Sequence, residues 1–156
     1  MYSCSFPILR RAAASALLVL AGSALAQAPA CIEATEASHE TLLGHWEAQF
    51  SPVEGQPSPA GASAPALSAR LELTPHPELA ASVRGRLERA GSTALLAGDV
   101  DEGDFTLEES INGTNISATW IGQVASDSCG KEIRGTWTQA NPPLSLSFVL
   151  RKQAGP

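Results

Sequence analysis

Residues 115–137 read "NISATWIGQVASDSCGKEIRGTW". Two runs alternate apolar and polar side chains, and a loop rich in Ser, Asp and Gly separates them. In the first run Ile116, Ala118, Trp120, Gly122 and Val124 share a face; in the second, Ile133, Gly135 and Trp137 do. A period of two marks a half-buried strand, because successive side chains leave a pleated chain on opposite sides. The link is too short for a crossover, so the two strands are expected to run antiparallel.

The same pattern recurs on both sides of this stretch. "GHWEAQF" (44–50) sets Trp46, Ala48 and Phe50 against His45, Glu47 and Gln49. "ARLELT" (69–74) sets Ala69, Leu71 and Leu73 against Arg70, Glu72 and Thr74. "SVRGRLER" (82–89) sets Val83, Gly85 and Leu87 against Arg84, Arg86 and Glu88. "TALLAGDV" (93–100), "DFTLEES" (104–110) and "LSLSFVLR" (144–151) add Ala94, Leu96, Gly98, Val100, Phe105, Leu107, Leu144, Leu146, Phe148 and Leu150 to the apolar side. No long helix is predicted between these runs, and only a weak helical turn at 35–43. Most links are turn sequences such as "RAGS", "VDEGD", "INGTN" and "QANPP". Eight antiparallel strands, each apolar on one face, predict an all-β fold over residues 43–152: an eight-stranded up-and-down barrel, which buries the apolar faces and removes open edges. A two-sheet β-sandwich satisfies the same alternation. Gly85, Gly98, Gly122 and Gly135 fall on the inward face, where they let strands coil as a barrel closes. The link at 51–68, "SPVEGQPSPAGASAPALS", has no periodicity and reads either as a tolerated insertion or as a flap over one mouth.

The first 26 residues read as a bacterial-type secretory signal peptide: Arg10 and Arg11, an apolar run at 12–25, and a small-x-small cleavage pattern at Ala24–Ala26. The run is short for a membrane anchor. Cys31 follows "APA", a poor match to a lipid-accepting site. Residues 27–42 then form an N-terminal tail, and export is to the periplasm or outside the cell. Cleavage leaves two cysteines, Cys31 and Cys129, which an oxidising compartment would join as a disulfide. All 16 Asp and Glu residues lie beyond the signal, with 8 of the 10 Lys and Arg (10 less Arg10 and Arg11). That acidic balance, without a basic patch, argues against nucleic acid as a partner.

Catalytic motifs are missing from the reading. His39, His45 and His76 are not at metal-ligand spacings, and neither a nucleophile elbow nor a phosphate-cradling loop is present. The expectation is therefore a non-enzymatic protein with no cofactor and no metal. The predicted barrel interior carries no ionisable group. His45 and Glu47 form either an acid–base pair or an ordinary solvated face. "GDVDEGD" (98–104) resembles part of a calcium loop but has Ser110 where the closing glutamate is expected, so it reads as an acidic hairpin. Asn112 and Asn115 match glycosylation sequons and equally mark an Asn-Gly turn.

The rings remain. Trp46, Phe50, Phe105, Trp120, Trp137 and Phe148 all fall on the apolar face, where they either fill the core or wall a pocket beside Ala48, Ala118 and Gly135. On the second reading Trp46, Phe50, Trp120, Trp137 and Phe148 are the candidate ligand-binding residues, for a flat apolar or aromatic molecule or a sugar ring.

"GHWEAQF", "SATWIGQV" and "EIRGTW" together resemble the avidin and streptavidin barrels, and the opening Gly-x-Trp also resembles lipocalins. The resemblance implies an eight-stranded meander barrel with an interior ligand. Avidin also ties a cysteine before its first strand to one after its sixth, places comparable to Cys31 and Cys129. The biotin-binding residues do not carry over: Ala48, Ser51 and Pro52 stand at first-strand polar positions, and Ile116 and Ala118 at sixth-strand hydroxyl positions. A buried ureido group would find no hydrogen bonds there.

The function expected from all this is an exported, non-enzymatic binding protein for a small apolar, aromatic or sugar ligand. The alternative is a protein-binding inhibitor or immunity-type partner of a cell-envelope hydrolase, acting through loops 51–68 or 99–104. No membrane span is expected after signal cleavage.

Overall fold

The computed structural model describes residues 31–55 and 68–155. Residues 1–26, read above as a signal peptide, and most of the 51–68 link lie outside the described residues. Eight strands form a closed barrel in sequence order, which resolves the choice between barrel and sandwich: β1 (Gly44–Pro52), β2 (Ser68–Pro75), β3 (Val83–Arg89), β4 (Ser92–Asp101), β5 (Asp104–Ser110), β6 (Ala118–Val124), β7 (Glu132–Gln139) and β8 (Leu144–Lys152). Every neighbouring pair is antiparallel, and β8 closes on β1 with Phe50 opposite Phe148. The alternation read from the sequence is the burial pattern observed: Trp46, Ala48 and Phe50 are buried in β1, Phe105 and Leu107 in β5, and Leu146, Phe148 and Leu150 in β8.

One placement differs. Ile116, read as the first inward residue of the sixth strand, is half exposed in the 111–117 connection, and β6 begins at Ala118. The side chain of Asn112 accounts for this. Its Oδ1 accepts hydrogen bonds from the backbone N–H groups of Thr114 (3.0 Å) and Asn115 (2.9 Å), closing a local turn that competes with strand extension. The two sequons thus sit in and beside a turn, and "GDVDEGD" is a hairpin with Asp101 opposite Asp104.

Barrel closure depends on a row across the sheet: Phe105, Gly122, Gly135 and Phe148 stand side by side on β5 to β8. The two phenyl rings meet across the glycine pair at 6.3 Å between centroids. A Cβ on Gly135 would collide with the Ile121 carbonyl oxygen and come within 2.5 Å of Gly122 Cα. Only glycine allows β6 and β7 to approach and coil so tightly here.

One end of the barrel is stoppered by the N-terminal segment. A 3-10 turn (Ala34–Glu36) and a short helix α1 (His39–Leu42) bring Leu42 into the core, and the Trp46 indole Nε1 donates to the Leu42 carbonyl at 2.7 Å. Lys152 donates to the Thr41 carbonyl at 2.6 Å and lies 5.5 Å from the Trp46 ring centre. Burial, and then repulsion from Lys131, lower its ammonium pKa from 10.5. The Cys31–Cys129 disulfide fastens this segment to the β6–β7 connection across 98 residues of sequence.

Two outcomes are expected in urea unfolding. Gly135→Ala should destabilise the barrel by about 3 kcal/mol or prevent folding, because backbone rather than side chain must move. Reducing the disulfide should remove up to about 5 kcal/mol, the chain-entropy value for so long a loop.

Candidate functional site

The end opposite α1 is the mouth, ringed by the 90–91, 111–117 and 140–143 connections and the ends of β1 and β2. Four of the five candidate rings gather in this half and the middle of the barrel. Phe50 lies 5.2 Å from Trp120 and 5.8 Å from Trp137, and Phe148 lies 5.0 Å from Trp120, all tilted or edge-to-face. Such contacts add about 0.5–1.5 kcal/mol each beyond area burial. Trp46 stands apart at the stoppered end. The five rings are 0–6 % exposed, Phe50 the most, so their faces are covered by one another and by neighbouring side chains.

The barrel interior does contain charge, contrary to the sequence reading. Glu109 points inward from the end of β5 and is 1 % exposed. Its Oε2 accepts from the indole Nε1 of Trp137 (3.0 Å) and of Trp120 (3.3 Å), and its Oε1 accepts from Arg89 Nη2 (3.0 Å). Each member is there for a physical reason. Trp120 and Trp137 are cross-strand neighbours, and their buried N–H groups require an acceptor. The residue opposite Glu109 is Ala118, small enough to leave the carboxylate room. A buried carboxylate in turn requires a cation, and Arg89 supplies it from the end of β3. The guanidinium lies 4.6 Å from the Trp137 ring centre and 5.6 Å from that of Phe50, so it also stacks on the rings it covers. Among the described residues no buried side-chain polar atom lacks a partner.

Both residues missed by the sequence reading had a signal. Val83, Gly85 and Leu87 face inward, and Arg89 is the next inward step; Phe105 and Leu107 face inward, and Glu109 is the next. The charged last step of each strand reads as its solvated end.

Arg89 is the one polar group of this cluster that reaches solvent, its side chain being 16 % exposed. Among the described residues its guanidinium hydrogen-bonds only to Glu109. The arrangement is a guanidinium over two aromatic rings at a barrel mouth, paired with a buried carboxylate. His45 and Glu47 lie on the outer wall, away from this cluster, and no group of metal-ligating side chains occurs among the described residues.

No protein-family model matches the sequence, and no curated protein matches it. Among solved structures it is similar to a redesigned β-barrel, at 17 % identity and a TM-score of 0.45, covering 75 % of this chain and 96 % of that one. At that level the likeness says nothing of function, and the barrel assignment stands on the strand pairing. The protein is thus a closed eight-stranded antiparallel barrel with a disulfide-braced N-terminal stopper at one end. Among the described residues no helix is long and apolar enough to cross a membrane.

Trp137→Phe keeps a six-membered aromatic ring but removes the indole's pyrrole half and with it one donor to Glu109. It should cost about 2–4 kcal/mol in urea unfolding, an under-satisfied buried carboxylate plus the volume left unfilled. A neutral result would show that the indole bond is incidental.

Proposed function

We propose that this is an exported, non-enzymatic binding protein whose ligand is a small flat apolar, aromatic or sugar molecule seated at the barrel mouth. The observation that carries this reading is the part-exposed Arg89 guanidinium over Trp137 and Phe50, hydrogen-bonded among the described residues only to Glu109. A ring that stacks beside Phe50 and offers a carboxylate or carbonyl oxygen would accept from that guanidinium. Deeper entry would require displacing rings whose N–H groups and faces are already satisfied, so the ligand rests above Trp120 and Phe148, and Trp46 serves the stopper. Export is supported by the signal-like opening residues, and the disulfide fits a periplasmic or extracellular location. Kinship with avidin-type or lipocalin-type barrels is supported by the Gly44-His45-Trp46 opening and by a disulfide linking the segment before β1 to the connection after β6. Ala48 and Ala118 are buried and apolar where a biotin site needs polar groups, so biotin is not the ligand proposed.

A second reading, a partner protein such as a cell-envelope hydrolase, is favoured by Ile111 and Ile116, both at least half exposed on the mouth connection 111–117.

Titrating oxidised mature protein with aromatic carboxylates and monosaccharides, read by tryptophan emission and calorimetry, separates these. The mouth reading expects saturable binding of one class that weakens about tenfold or more in Arg89→Gln, a loss of one charge-assisted contact. Ligands that leave emission and heat unchanged, or bind Arg89→Gln as tightly, would overturn it.

A further inference from the structure

Away from the mouth, the outer wall over β2 to β5 carries a groove of about 540 Å³, within the size range of small-ligand sites. Its architecture follows from strand register. Arg84 stands beside Ala97, and Ala97 beside Glu108; Arg86 stands beside Leu95, and Leu95 beside Ser110. The floor is therefore apolar, Leu95 and Ala97 on β4. One wall is basic, Arg84 and Arg86 on β3, and the other carries the carboxylate of Glu108 on β5. Glu72 lies behind Arg86 on β2, and His76 closes the far end. Towards the mouth, Gly113, Thr114 and Ile116 of the 111–117 connection form an apolar shoulder.

Two features set this groove apart from an ordinary charged barrel surface. Arg84, Arg86, Glu72 and Glu108 take part in none of the ion pairs formed among the described residues. Leu95 and Ile116 are also left half exposed, 52 % and 50 %. The shoulder is fixed in place: besides the Asn112 turn, Ser110 Oγ donates to the Asn115 carbonyl at 2.7 Å. β3 and β5 are two strand spacings apart, about 9.5 Å. With long side chains leaning in from both walls, the gap suits a ligand whose own opposite charges are a few ångströms apart.

We propose that this groove binds a short apolar peptide in its zwitterionic form. The terminal carboxylate pairs with Arg84 and Arg86, the terminal ammonium with Glu108, and the apolar side chains lie on Leu95 and Ile116. A single charge of either sign would leave one wall unanswered, which is why a zwitterion is selected over a simple anion. The inference does not rest on the mouth site, which uses other residues on the inner face.

Calorimetry with the dipeptide Leu-Leu, N-acetyl-Leu-Leu and Leu-Leu amide tests it on the oxidised full-length mature chain. The expected result is saturable Leu-Leu binding, with each blocked form about tenfold or more weaker, one charge-assisted contact being lost in each. Arg84→Gln and Glu108→Gln are solvent-facing changes that should fold normally and weaken Leu-Leu by a similar factor. Gln49→Ala, exposed on β1 and outside the groove, should leave it unchanged. Absence of Leu-Leu binding, blocked forms that bind equally well, or a loss caused by Gln49→Ala as large as that caused by Arg84→Gln would overturn the proposal.

Discussion

The carboxylate of Glu109 is the point on which the barrel interior depends. An eight-stranded barrel is just wide enough to be filled by side chains, and this chain fills much of it with two neighbouring tryptophans. Indoles bring large apolar area but also an N–H that must be answered when buried. One carboxylate answers both, at 3.0 and 3.3 Å, and its charge then demands Arg89. The guanidinium lies over the Trp137 ring at 4.6 Å. A single buried ion therefore accounts for the orientation of two indoles and the position of an arginine. Buried ion pairs are not in general a source of net stability; their removal one partner at a time is costly because the survivor is stranded.

The other end uses a different device. There the indole of Trp46 is answered by a backbone carbonyl, that of Leu42 in α1, and the cation over the ring is Lys152. The repeated theme is an indole N–H with a fixed acceptor and a cation near its face. At the stoppered end both acceptor and cover come from the chain termini, braced by the Cys31–Cys129 bond. At the mouth they come from side chains alone, and the arginine is part exposed. That asymmetry is the reason for proposing a ligand site at the mouth.

The barrel itself was legible in the sequence because alternation is a local signal repeated eight times, and because inward glycines such as Gly122 and Gly135 announce the tight coiling that closure needs. The disulfide was legible by count once a signal peptide was read. Glu109 and Arg89 were not, although each continues the inward parity of its strand: a charged residue at a strand end is ordinarily solvated, and only the three-dimensional convergence of two indoles makes burial favourable. Ile116 misled for the opposite reason. Its apolar side chain fits the strand pattern, but the Asn112 side chain captures two backbone N–H groups and ends the ladder early. The outer groove was invisible because it arises from register across four strands, and register is set by turns that alternation does not specify.

The most direct test is a double-mutant cycle in urea with Glu109→Leu, Arg89→Leu and the double variant. If Glu109 and Arg89 are a mutually compensating buried pair, each single variant should lose about 3–5 kcal/mol, as expected when one buried partner is stranded. The double variant should then lose less than the sum by about 2 kcal/mol or more, within the coupling range of contacting residues. Additive losses, or a Glu109→Leu variant as stable as the parent, would contradict the account and leave the aromatic packing alone as the organiser of the barrel.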